Sequence, residues 1–115
     1  MDVREATHDD YDWLTRRDRH VTGAWIRRCI SHREYLVCER DRALLGLLRY
    51  SLFWGAIPYM DMIFVDDGHR RRGVGTALFE TWQARMVGSG ATVLMTSSVS
   101  TETAPREWHR RNGFE

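Results

Sequence analysis

An apolar run, "YMDMIFV" (59–65), gives way to two aspartates, then to "GHRRRGVG" (68–75), then to a segment with apolar residues at four-residue spacing. This succession constrains the fold more than any other part of the chain. A strand that ends in a turn of glycine and arginine and runs straight into a helix gathers unpaired backbone N–H groups at a positive dipole end. Gly73 and Gly75 remove side chains where an anion would approach the main chain. Arg70, Arg71 and Arg72 add charge that burial cannot neutralise. The competing reading is an exposed basic turn in front of an ordinary helix.

Two common phosphate-binding arrangements do not fit the residues. A nucleoside triphosphate loop needs Lys-Ser/Thr after its last glycine, and here Val74 and Gly75 stand after Gly73. A dinucleotide fingerprint needs a third small residue, and here that position is Leu78, with no βαβ unit around it. What remains is strand, turn, Arg-x-x-Gly-x-Gly and helix.

The rest of the chain reads as one domain over residues 1–115, of mixed α+β class. "VREA" (3–6) is a short strand; Thr7 with Asp10 three residues later forms a capping-box pattern that opens a helix. "TGAWIRRCISHR" (22–33) carries Trp25, Ile26, Cys29 and Ile30 at helical spacing. "EYLVCE" (34–39), "ALLGLLRYSLFW" (43–54) and "YMDMIFV" (59–65) follow with short connections, as an antiparallel meander, and Gly46 marks a bulge or bend. Val74, Leu78, Trp82 and Met86 define the next helix, ended by "GSG" (88–90). "ATVLMTS" (91–97), reached through a helix, should run parallel to the strand at 59–65. "TETAPREWHRRNGF" (101–114) is a last helix with Pro105 in its first turn. The order is β-α-α-β-β-β-α-β-α.

Composition narrows the function classes. All 17 basic residues are arginine, so no lysine can serve as base or Schiff-base former. A net charge of +1 supplies no broad basic face for nucleic acid. Cys29 and Cys38, with His32 between them, lack the second ligand pair of a metal motif and read as buried reduced thiols, so no metal is expected. The acidic "MDVREATHDD" is not a signal peptide, and "ALLGLL" is too short to span a bilayer, so a cytoplasmic location and no membrane partner are expected.

With these residues in view, the chain resembles the GNAT superfamily of acyl-CoA-dependent N-acyltransferases. Arg70, Gly73 and Gly75 stand in the family's Arg/Gln-x-x-Gly-x-Gly/Ala signature, between "MIFVDD" and "TALFETW". Downstream, "REWHRRNGFE" is similar to the family's aromatic-Tyr-x-x-x-Gly-Phe segment, and the element order agrees as far as Phe114. The resemblance implies acetyl-CoA or another acyl-CoA as donor. Its pyrophosphate would lie on residues 70–76 (Arg70, Arg71, Arg72, Gly73, Val74, Gly75 and Thr76). The pantetheine arm would lie between the splayed strands at 59–65 and 91–97, bonded to the backbone of Phe64 and Val65 like an added strand.

The resemblance further implies direct attack of an amine on the thioester in a ternary complex. Where the family often has a tyrosine proton donor, this chain has His109, after Trp108. An imidazolium can protonate the departing thiolate; alternatively His109 is a solvated helix residue among Arg106, Arg110 and Arg111. Asp61 is the only carboxylate in its strand and shares a face, on simple alternation, with Tyr59, Ile63 and Val65. It is either a base acting through water or the partner of a strand arginine such as Arg49. Trp25, Tyr50, Trp54 and Tyr59 are candidates to line the acceptor pocket, with core packing as the alternative. Family members continue past Gly-Phe with further strands, so the C-terminal strands are expected to be truncated here or supplied by a second subunit. The uncovered strand at 91–97 points to a homodimer. A catalytically silent acyl-CoA-binding module is the second reading.

Overall fold

Order along the chain and order across the sheet coincide: β1 (Asp2–Glu5), β2 (Tyr35–Arg40), β3 (Ala43–Phe53), β4 (Ile57–Val65) and β5 (Met95–Thr96) lie side by side. The computed structural model describes residues 1–70 and 72–96. The first four strands pair antiparallel. β5 pairs parallel to β4, as a helical crossover requires, through Tyr59↔Met95 and Met60↔Thr96. The expected strand at 91–97 is therefore paired only over Met95–Thr96 within the described residues. The helix expected at 101–114 lies outside them.

The helices begin where their caps predict. The Asp10 carboxylate accepts from the Thr7 N–H at 2.8 Å, which closes a 3₁₀ turn (His8–Asp10) that leads into α1 (Tyr11–Arg17). Thr22 accepts from the Trp25 N–H at 3.2 Å and starts α2 (Gly23–Ser31). Of the α2 stripe, Ile26, Cys29 and Ile30 are buried, whereas Trp25 is 42% exposed. It sits in the first turn at the flank of the stripe, where the Arg28 guanidinium lies 4.5 Å from its ring centroid. α3 (Val74–Gly88) buries Val74, Leu78, Phe79, Trp82 and Met86.

The sheet separates two apolar cores. One face packs Leu36, Leu48, Met60, Ile63 and Val65 against α3. The other packs Val37, Leu47, Met62 and Phe64 against α1 and α2. Both helical layers thus bury apolar stripes on a sheet covered on both faces over residues 35–38 and 45–49, each large side chain contributing roughly 1.5–3 kcal/mol. Gly46 is needed because α3 crosses close above it. A Cβ there would stand 2.7 Å from the Phe64 carbonyl oxygen and 3.0 Å from Val74 Cγ1. The expected bulge falls beside it: Cys38 faces Gly46 and Glu39 faces Leu44, so Leu45 is the extra residue of β3.

A second irregularity matters more for function. Arg49 pairs with Met62 and Tyr50 with Met60, so Asp61 is an extra residue in β4. A bulge advances the strand by one residue and so reverses the alternation beyond it. Ile63 and Val65 consequently join the α3 core. Asp61 instead stands beside Arg49 and Ser51, on the α1/α2 side. The face expected for Asp61 from simple alternation is corrected accordingly: it shares a side with Tyr59, the cross-strand partner of Ser51, but not with Ile63 or Val65.

Candidate active site

The loop after β4 leads into the open N-terminal end of α3. A short 3₁₀ turn (Asp67–His69) reverses the chain, and Gly73 then caps α3 at φ +82°, in the left-handed region that favours glycine. Nothing lies within 4 Å of the Cβ position of Gly73, so the approach to its backbone is open. The first helical bond runs from the Ala77 N–H to the Gly73 carbonyl at 2.9 Å. The N–H groups of Val74, Gly75 and Thr76 precede it and have no intrahelical acceptor. The Val74 side chain turns inward, 2% exposed, against the α3 core, and this anchors the helix end.

Of the three arginines, Arg70 donates from Nε to the Val65 carbonyl at 3.3 Å and pairs through Nη2 with Asp67 Oδ1 at 3.1 Å. Both side chains of that pair are exposed, and such pairs contribute little, so an incoming phosphate can compete for Arg70. Arg72 is exposed, and Arg71 lies outside the described residues.

Beyond Met60↔Thr96 the outer edge of β4 has no strand partner among the described residues. The Asp66 N–H donates to the Leu45 carbonyl at 2.9 Å, which sets the phase of the antiparallel ladder. Phe64, opposite Leu47, then turns its backbone groups toward β3, while Ile63 and Val65 turn theirs to the open edge. Of the two positions expected for the arm, Val65 faces its backbone to this edge and Phe64 does not; Ile63 also faces it. The Phe64 side chain packs in the α1/α2 core.

Asp61 sits at the inner end of that edge. Burial pushes its carboxyl above the ordinary value of 3.8, against the opposing pulls of a Ser51 hydrogen bond and the Arg49 charge. The alternative partner foreseen for it is present: Arg49 Nη1 lies 3.7 Å from Asp61 Oδ2. That distance exceeds a hydrogen bond. Arg49 instead donates to Asp18 at 2.7 Å through Nε and 3.4 Å through Nη2, and the Tyr35 hydroxyl donates to the same carboxylate at 2.6 Å. Asp18 is thus the committed partner of Arg49, and the Asp61 carboxylate keeps acceptor capacity.

Two anchoring pairs were not anticipated. Asp18 closes α1 and lay hidden in the charged run "RRDRH"; an arginine inside the apolar strand "ALLGLLRYSLFW" was its only sequence signal. Arg17 grips Asp66 with two bonds, 2.9 and 3.1 Å, and lies 4.3 Å from the Trp13 centroid. The end of α1 is thereby tied to the first residue of the loop after β4. Of the candidate pocket residues, Tyr50 belongs to the α3 core, 6.1 Å from Trp82, with its hydroxyl on the Arg33 carbonyl. Trp54 is 84% exposed at the β3–β4 turn. His109 lies outside the described residues, so its surroundings are not placed. Among the described residues no cluster of three or more His, Cys, Asp or Glu could hold a metal, and no helix is long and apolar enough to cross a membrane.

A mixed sheet whose fourth strand leaves an edge open beside a Gly-x-Gly helix start agrees with the signature noted in the sequence. The sequence model of the Acetyltransferase (GNAT) family matches residues 2–114, and the chain belongs to that family. A search of curated protein sequences gives no significant match. Among solved structures, the chain is similar to Ard1 from Thermoplasma volcanium, at 17% identity over 99% of this chain and 82% of that one, TM-score 0.89. It is similar to the aminoglycoside 6'-N-acetyltransferase AAC(6')-IG from Acinetobacter haemolyticus, at 19% identity over 100% and 91%, TM-score 0.83. It is also similar to AAC(6')-Iy in complex with CoA, at 17% identity over 99% and 87%, TM-score 0.84. At these identities the likenesses establish the fold; the family model establishes the acetyltransferase class.

Proposed function

We propose that the protein is an N-acetyltransferase that moves the acetyl group of acetyl-CoA to an amine by direct attack in a ternary complex. The observation that carries this reading is the continuity of three features: the open N-terminal end of α3, the open edge of β4, and the bulged carboxylate at its inner end. In this reading the pyrophosphate rests on the N–H groups of Val74, Gly75 and Thr76, with Arg70, Arg71 and Arg72 supplying charge. Gly73 lets the phosphates approach. The pantetheine arm bonds the edge at Val65 and Ile63, beside Phe64, as an added strand.

The thioester then lies near Asp61. The amine nitrogen forms a bond to the carbonyl carbon, the C–S bond breaks, and the thiolate leaves with a proton. Asp61, directly or through one water, takes the proton released from nitrogen, a role its raised pKa suits. His109 is proposed as the donor to the thiolate. Much of the acceleration comes from holding the two substrates in one geometry.

Calorimetric titration with acetyl-CoA, followed by thiol release across a panel of amines, tests the reading. Binding to one site per chain with amine-dependent thiol release is the expected result. Binding without release on any amine would leave the silent acyl-CoA-binding module, and no binding would remove both.

A further inference from the structure

Among the described residues, α1 and α2 cover only half of their face of the sheet. Its core ends at Leu47, Met62 and Phe64, and from Arg49 toward the β3–β4 turn no described residue of that face joins it. Alternation along β3 carries Ser51 and Phe53 on the Arg49 side, and their cross-strand partners Tyr59 and Ile57 stand beside them. These residues are neither hidden nor polar overall: Phe53 is 40% exposed, and its ring lies 4.5 Å from that of Trp54, which is 84% exposed. Asp61 closes the inner end of this face with the one exposed carboxylate among its described residues, beside Ser51. From Asp61 to Ile57 the strand spans about 13 Å.

We propose that this uncovered hairpin face seats the acceptor, and that the acceptor is a primary amine on an apolar, aromatic-sized body, its nitrogen against Asp61 and its body over Phe53 and Ile57. This rests on the acetyltransferase reading and adds the substrate class. Three features argue for one occupant. Asp61 supplies the charge opposite to an ammonium group. The face is continuous with the open β4 edge, where the acyl arm is proposed to end. The exposed aromatic pair next to it contributes apolar area and a quadrupole that favours a nearby cation. A polar polyamine would leave that area in water and would find no second exposed carboxylate along the described part of the face.

The test compares 2-phenylethylamine with ethanolamine in acetyl transfer by the full chain, and in calorimetric binding to its CoA complex. We expect kcat/KM about tenfold or more higher for 2-phenylethylamine. Phe53→Ser and, separately, Ile57→Ser should raise KM for 2-phenylethylamine about tenfold while leaving ethanolamine kinetics and the acetyl-CoA KM within about twofold. Both positions are at least partly exposed, so two independent variants guard against loss of fold in one. Equal rates for the two amines, or variants that affect both amines alike, would overturn the proposal while leaving the acetyltransferase reading standing. If acetyl-CoA binds but no amine is acetylated, saturable 2-phenylethylamine binding that Phe53→Ser abolishes supports the seat, and no such binding overturns it. If acetyl-CoA does not bind, the reading and the seat fall together.

Discussion

Asp61, proposed above as the base, also carries a structural cost. Its raised pKa means that the folded protein holds the Asp61 proton more tightly than the unfolded chain does. The cost to stability of ionising it is therefore present above the folded pKa and disappears as pH falls below the unfolded value. Activity runs the other way, because a base must be ionised. The acid limb of kcat/KM should lie above the ordinary carboxylate value of 3.8. Asp61→Asn should lower kcat/KM by about 10²–10⁴-fold and remove that limb, with acetyl-CoA affinity unchanged and the urea midpoint at pH 7 equal or higher. A pH–rate series beside an equilibrium unfolding curve separates the two effects; a fall in stability with unchanged rate would mark Asp61 as structural.

Among the elements, α3 carries the proposed donor-binding end, and Gly46 sets how closely it approaches the sheet. Gly46→Ala would place a Cβ 2.7 Å from the Phe64 backbone oxygen, which cannot yield without moving β4, and 3.0 Å from Val74 Cγ1. Overpacking of this kind costs about 1–3 kcal/mol. The expected outcome is a lower melting temperature together with weaker acetyl-CoA binding, measured by calorimetry on the folded variant. The elements themselves were legible because their signals are local: the helical spacing of Ile26, Cys29 and Ile30, Thr7 with Asp10, and the four-residue spacing from Val74 to Met86. The glycine start of α3 was legible because a left-handed cap calls for glycine, which Gly73 supplies. The bulge at Asp61 was not, since an extra residue leaves "YMDMIFV" looking like an unbroken strand and shows only when β3 is laid beside it. Nor was the Asp18–Arg49 pair, whose partners stand 31 residues apart and meet only through the fold.

At the scale of the molecule, the two apolar layers also predict how the thiols behave. Cys29 and Cys38 are the chain's two cysteines, 2% and 0% exposed, on opposite faces of the sheet. Burial pushes both thiols above their ordinary value, so neither offers an accessible thiolate. Native protein should react slowly with an aromatic disulfide reagent, and both thiols should react at once in guanidinium chloride. Rapid modification of one thiol under native conditions would mean that its layer opens locally. The bulge at Asp61 has a consequence for this layered plan. It works as a phase boundary in β4: residues 57–60 keep one in-out pattern and residues 62–65 another, so the two stretches answer to different demands. The inner stretch must satisfy two cores and present the donor edge. In the proposed reading the outer hairpin carries the acceptor seat, so its exposed side chains, Phe53 and Trp54, form a replaceable cassette. Exchanging them would be the direct route to retargeting the protein toward other acceptors with the proposed donor half intact.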